Sequence, residues 1–124
     1  MDNVTHMRIE DIEPYSGKST IPGIKFRPAG RALGVTAWGM NVVDMEGGCT
    51  GYPEHEHSKD GQEEVYVVLR GSATMRLDAA IVSLKPGSMI RVAPSQRRKI
   101  IPDVDGVTLL VIGSTPGKAY EPRR

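Results

Sequence analysis

Glycine and proline interrupt this chain at intervals too short for helices, and that spacing limits its fold more than any other feature. Fourteen glycines and nine prolines are spread over 124 residues, as at Pro22-Gly23, Gly47-Gly48, Gly71, Pro86-Gly87 and Pro116-Gly117. The apolar runs between them are brief and suit strands. Val65 to Leu69 reads Val-Tyr-Val-Val-Leu, rich in β-branched and aromatic residues. Val35 to Met45, Ser72 to Leu77, Ile81 to Leu84, Met89 to Val92 and Val107 to Ile112 complete the series. No stretch of about ten residues or more carries a 3.6-residue amphipathic period. The pattern predicts an all-β sandwich or barrel. At 13.5 kDa it is one domain, residues 1–124. Residues 1–32 read as an N-terminal arm with short strands, 33–113 as the core and 114–124 as a polar tail. Gly71 is expected to end a strand, Pro86-Gly87 to form a type II turn, and Trp38 and Met40 to lie in the core.

Charge and composition exclude several functions. Sixteen basic against fifteen acidic side chains leave a formal charge of +1, so no global field recruits nucleic acid or anionic lipid. Arg97-Arg98-Lys99 reads as a solvated strand edge. Aromatic residues make up only 5%, too few for a single-strand stacking platform. Cys49 is the sole cysteine, which rules out an intrachain disulfide and a cysteine-based zinc site. No apolar run reaches the roughly 20 residues of a membrane span, and a signal-peptide core is missing; the expected compartment is the cytoplasm.

One stretch is unlike a structural strand. In Glu54-His55-Glu56-His57 a side-chain period of two puts both histidines on one face and both glutamates on the other. If the glutamates face water, two imidazoles point inward, and a divalent metal is the usual holder of such a pair. The competing reading is a polar loop with both rings solvated.

The surrounding residues favour the first reading. Gly51-Tyr52-Pro53-Glu54-His55-Glu56-His57, followed by Glu64 and Gly71, resembles the first motif of the cupin superfamily. Pro86-Gly87-Ser88-Met89-Ile90-Arg91-Val92-Ala93-Pro94 resembles the second. The likeness spans roughly residues 35–112. It implies a small single-domain cupin with a double-stranded β-helix (jelly-roll) barrel. Carried onto this sequence, the metal ligands are His55, His57 and Glu64. Glu64 is preferred to Glu63 because it lies seven residues before Gly71 and shares the parity of Tyr66.

Two departures stand out. The spacer Ser58 to Glu63 is longer than the family's usual one. The position of the family's third histidine falls on Arg98, which has no lone pair to offer a metal. Either Arg98 stands back and His55, His57 and Glu64 bind a divalent transition metal (zinc, iron, nickel or manganese), or Arg98 pairs with Glu64 in a metal-free pocket for an anion. Tyr66 and Arg98 are the candidates for orienting or protonating a substrate, with Tyr66 alternatively packed at a wet rim. The resemblance thus implies a small-molecule ligand and a homodimer. It does not choose among dioxygenase, isomerase, lyase and decarboxylase chemistry.

Overall fold

The computed structural model describes residues 3–122. Six strands, β1 (Ile24–Arg27), β2 (Gly39–Met45), β3 (Glu63–Arg76), β4 (Ile81–Leu84), β5 (Met89–Val92) and β6 (Lys99–Ser114), account for most of the regular structure. A short helix, α1 (Ala29–Leu33), follows β1 and stops at Gly34, whose φ of 82° gives a left-handed cap. All pairings are antiparallel: the path runs β1-β2-β6-β3-β4, and β5 lies against the first half of β3. Among the described residues no helix is long and apolar enough to cross a membrane.

The long strands β3 and β6 form the spine. They pair from Glu63–Ser114 to Arg76–Lys99, with register shifts between Val68 and Arg70 and between Gly71 and Ala73. Glu64, Tyr66 and Val68 are buried before the shifts, Ala73 and Met75 after them, so the inward parity changes across the bulge. The expectation that Gly71 ends a strand is therefore corrected: the strand bends there and continues. Gly71 has φ of 72°, and a Cβ on it would stand 2.1 Å from the Gly106 carbonyl oxygen, so the crossing of β3 over β6 admits only glycine. The bend lets β3 pair with β5 on one side of the corner and β4 on the other. The expected strand Val107 to Ile112 likewise proves to be part of a longer one, running through Pro102 and Gly106.

Val43, Met45, Tyr66, Val68, Met75, Leu84, Ile100 and Leu109 belong to the barrel core. A second cluster on the outer side of β2 joins Val42 to Ile12 and Ala29, so β2 is buried on both faces and the arm supplies the outer cover. Arg27 pins that cover. Its Nε donates to Asp44 at 3.0 Å and its Nη1 to the Ile12 carbonyl at 2.7 Å, while Thr108 donates to the other Asp44 oxygen at 2.7 Å. The Pro86-Gly87 turn matches its expected type, with Gly87 at φ of 86° and Ser88 N donating to the Lys85 carbonyl at 2.8 Å.

Candidate metal centre

The two histidines lie outside the named strands, on a segment tied down by backbone bonds. His55 and Arg98 exchange both backbone bonds at 3.0 Å, and His57 N donates to the Pro94 carbonyl at 2.7 Å. Lys99 Nζ donates to the carbonyls of Thr50 and Tyr52, anchoring the approach to this segment. Glu54 is exposed and Glu56 half-buried, its Oε2 accepting from Ser58 N at 2.7 Å, and both imidazoles turn to the barrel interior, where Glu64 projects from β3. Glu63 faces away and pairs with Arg91 at 2.8 Å.

One carboxylate oxygen gathers the site. Glu64 Oε1 lies 3.6 Å from His55 Nε2, 3.3 Å from His57 Nε2 and 2.6 Å from the Tyr66 hydroxyl, which donates to it. One ligand atom from each of His55, His57 and Glu64 falls within 4.8 Å of the others. Donors held about 2.1 Å from one ion stand roughly 3.0–3.4 Å apart, so the three need only small movements to share one.

The far side of each ring decides its lone pair. His55 Nδ1 lies 3.1 Å from the Pro53 carbonyl, which can only accept, so Nδ1 carries the hydrogen. His57 Nδ1 lies 3.1 and 3.2 Å from the two oxygens of Asp60, which fixes the same tautomer. In the neutral rings both Nε2 lone pairs therefore face a carboxylate oxygen, and His57 Nε2 is buried without a hydrogen-bond partner. Three electron-rich atoms in contact need a positive charge among them. A metal ion satisfies all three; so, less completely, does a proton. Attraction to Glu64 accordingly raises the His55 pKa, against the opposing effect of burial. Burial works to raise Glu64, but bonds from His55 and Tyr66 and the charge of His57 outweigh it and hold the carboxyl below its ordinary range. Metal-binding histidines are commonly oriented in this way by a carbonyl or carboxylate behind the ring. The donor set fits a divalent transition metal.

Behind the triad lies a buried cation. Arg98 is 0% exposed, and its Nη1 stands 3.8 Å from Glu64 Oε1. Its side chain donates to the Ala93 carbonyl at 3.0 Å, while Nε and Nη1 have no hydrogen-bond partner. The reading of Arg97-Arg98-Lys99 as a solvated edge is thus corrected: the run alternates out and in, and Arg98 is wholly enclosed. Tyr66 is also buried, at 1% exposure. Burial and the adjoining Glu64 charge raise its pKa well above the ordinary phenol value.

In front of the triad opens a cavity of about 820 Å³, with His55, His57 and Glu64 in its wall. Arg98 and Tyr66 do not border it; they lie behind the carboxylate. Trp38, expected in the core, lines it instead and is 43% exposed, while Met40 borders it and also packs against the Ile12, Ala29 and Val42 cluster as expected. The tail also reaches it: Tyr120 packs on Gly39, and Glu121 and Pro122 border the mouth.

No family model matches the chain, and no curated protein does. Solved structures do. A cupin-superfamily sugar phosphate isomerase from Silicibacter pomeroyi superposes with a TM-score of 0.74 at 22% identity, covering 89% of this chain and 75% of its own. A predicted oxalate decarboxylase from Thermotoga maritima gives 0.71 at 16% identity, over 90% and 99%. A cupin protein from Bacteroides fragilis gives 0.64 at 23%, over 88% and 91%. The chain has the cupin fold. In this chain Asp60 is the site residue that the sequence pattern does not reveal. A tight turn places it: Gly61 N bonds back to the His57 carbonyl at 2.8 Å, and that turn lays Asp60, three residues after His57, against the ring.

Proposed function

We propose that this cupin holds one divalent transition metal through His55, His57 and Glu64 and acts there on a small anionic or hydroxylated organic molecule. The observation that carries the reading is the pair of Nε2 lone pairs aimed at Glu64 Oε1, with both Nδ1 hydrogens already engaged. When bound, such an ion polarises a substrate oxygen or activates a water. The chain does the rest. Pro53 and Asp60 hold the rings in their tautomers, and Tyr66 fixes the Glu64 oxygen. The cavity admits the substrate on the side away from Arg98. Tyr66 and Arg98 act through Glu64, as positioning residues, because neither reaches the cavity.

A solved structure of similar fold is called a sugar phosphate isomerase and another a predicted oxalate decarboxylase, so anionic substrates are compatible with this framework. A second reading rests on the 3.8 Å approach of Arg98 to Glu64: a metal-free pocket for a small molecule in which Arg98 balances the Glu64 charge from behind the wall. It is the weaker one, since Arg98 makes its one side-chain hydrogen bond to Ala93 and leaves Glu64 to the histidines and Tyr66. Elemental analysis of untagged protein purified without added metal separates the two. About one transition-metal ion per chain supports the first; protein that stays empty after dialysis against zinc, iron, nickel and manganese leaves the second.

A further inference from the structure

The aromatic residues of this chain are few and are gathered in one place. There are one Trp, one Phe and four Tyr. Five of them, Tyr15, Phe26, Trp38, Tyr52 and Tyr120, line the cavity, and the sixth, Tyr66, bonds to Glu64 from behind its wall. They come from separate parts of the chain: the arm, β1, the approach to β2, the loop before His55, and the tail. Two of them are exposed, Trp38 at 43% and Tyr15 at 45%. Large aromatic side chains dominate core and interface energetics, and leaving them wet forgoes burial that a ligand can restore. The size of the space is consistent with this. A volume of about 820 Å³ is that of a site for a ring-sized or larger ligand, and a two-carbon diacid would leave most of it to water.

Resting on the metal reading above, we infer that the ligand of this site is an organic acid with a flat apolar body, its oxygen-bearing head at His55, His57 and Glu64 and its body against Trp38. The head supplies anionic oxygen donors to the metal end of the cavity. The body covers the aromatic wall, where ring–ring contacts in offset or edge geometry add to the area buried. A compact polyhydroxylated body gains less at the Trp38 face, because it presents less apolar surface to the ring than a flat apolar body does.

Mandelate and lactate carry the same 2-hydroxycarboxylate head and differ by a phenyl ring in place of a methyl group, and glucuronate carries a hydroxylated ring. Calorimetric titration of the three acids into zinc-loaded and metal-free protein gives their affinities. Trp38 is the only tryptophan, so its emission independently reports whether the wall is covered. Mandelate is expected to bind about tenfold or more tighter than lactate and to change the Trp38 emission. Trp38→Ala should bring mandelate close to lactate, and Trp38→Phe should keep most of the difference. Trp38 is exposed, so neither variant threatens the fold, and circular dichroism checks that. Equal affinities, tighter binding of glucuronate, an unchanged preference in Trp38→Ala, or no binding of mandelate in either form would overturn the inference. Failure to take up metal with the mandelate preference intact would overturn the metal reading alone.

Discussion

The Tyr66 hydroxyl donates to Glu64 Oε1 at 2.6 Å from two positions along the same strand. Both side chains face the interior, so this bond is set by the pleat of β3 and leaves the carboxylate little freedom to rotate. Tyr66→Phe should destabilise the metal-free protein by about 1.5–3 kcal/mol, the range for a lost hydrogen bond to a charged acceptor. It should also move the Glu64 pKa up toward its ordinary value. Urea denaturation and carboxyl titration by NMR measure the two effects; an unchanged Glu64 titration would mean the hydroxyl does not hold the carboxylate.

Asp60 acts on the metal only through the His57 ring. Asp60→Ala removes the acceptor at Nδ1, so either ring nitrogen can then carry the hydrogen and the ring loses its fixed orientation. Metal affinity should drop about 10–100-fold, the usual effect of losing such a supporting group. Competition with a chromophoric chelator checks this. The side chain is 42% exposed and otherwise bonds a loop N–H, that of Gln62, so the unfolding midpoint of metal-free protein should fall modestly, by the loss of about one hydrogen bond.

Protons and metal compete for His55. Because Glu64 raises its pKa, metal affinity should fall about tenfold per pH unit once pH drops below that raised value. Metal-free protein behaves differently. The His55 contribution to stability is full below the unfolded pKa of about 6.5 and is lost as pH rises through the folded value. The Glu64 contribution is present above its unfolded pKa and is lost as pH falls through its depressed folded value. Metal-free protein should therefore draw most from this pair in mildly acidic solution, and metal should shift the optimum upward. Thermal unfolding across pH with and without zinc tests it; identical profiles would remove the ion from the site.

Arg98 is a buried cation with two unpartnered nitrogens, an arrangement that stabilises little. Arg98→Met keeps the length and removes the charge. By leaving the buried Glu64 carboxylate without its nearest fixed positive charge, it should cost the metal-free protein up to about 3–5 kcal/mol. Metal retention should tighten by about tenfold or more, because a guanidinium close to a divalent ion repels it. Arg98→His should tighten it further if position 98 points a fourth donor at the same ion. Weaker retention in both variants would show that Arg98 supports the site by holding Glu64.

Gly71 carries the corner of the barrel. Gly71→Ala should cost at least about 2 kcal/mol, since both the positive φ and the Gly106 carbonyl oppose a side chain. Chemical denaturation measures it.

The sequence makes the triad legible because His55, His57 and Glu64 break the alternation around them, and polar groups at inward positions demand a charge or a ligand. It makes β4, β5 and the turn between them legible because Pro86-Gly87 admits few other backbones. It hides the length of β3 and β6, since a bulge at Gly71 shifts the inward parity and Pro102 and Gly106 look like chain breaks. Asp60 is hidden for another reason: its role depends on where a loop folds back, which no local period encodes. Trp38 reads as core because a large ring at a strand approach usually is. Here the cavity, a product of the whole fold, takes the place of packing neighbours.

The arm and the tail both end their paths at the rim of the cavity, while the metal donors sit on the spine and on the segment bonded to it. Apart from Tyr52, the aromatic residues proposed to meet a guest and the donors proposed to grip the ion therefore lie on different stretches of polypeptide. Swapping residues 15–38 or 116–122 for those of another barrel of this shape should retune selectivity and leave ion binding alone, so the two properties are open to separate engineering.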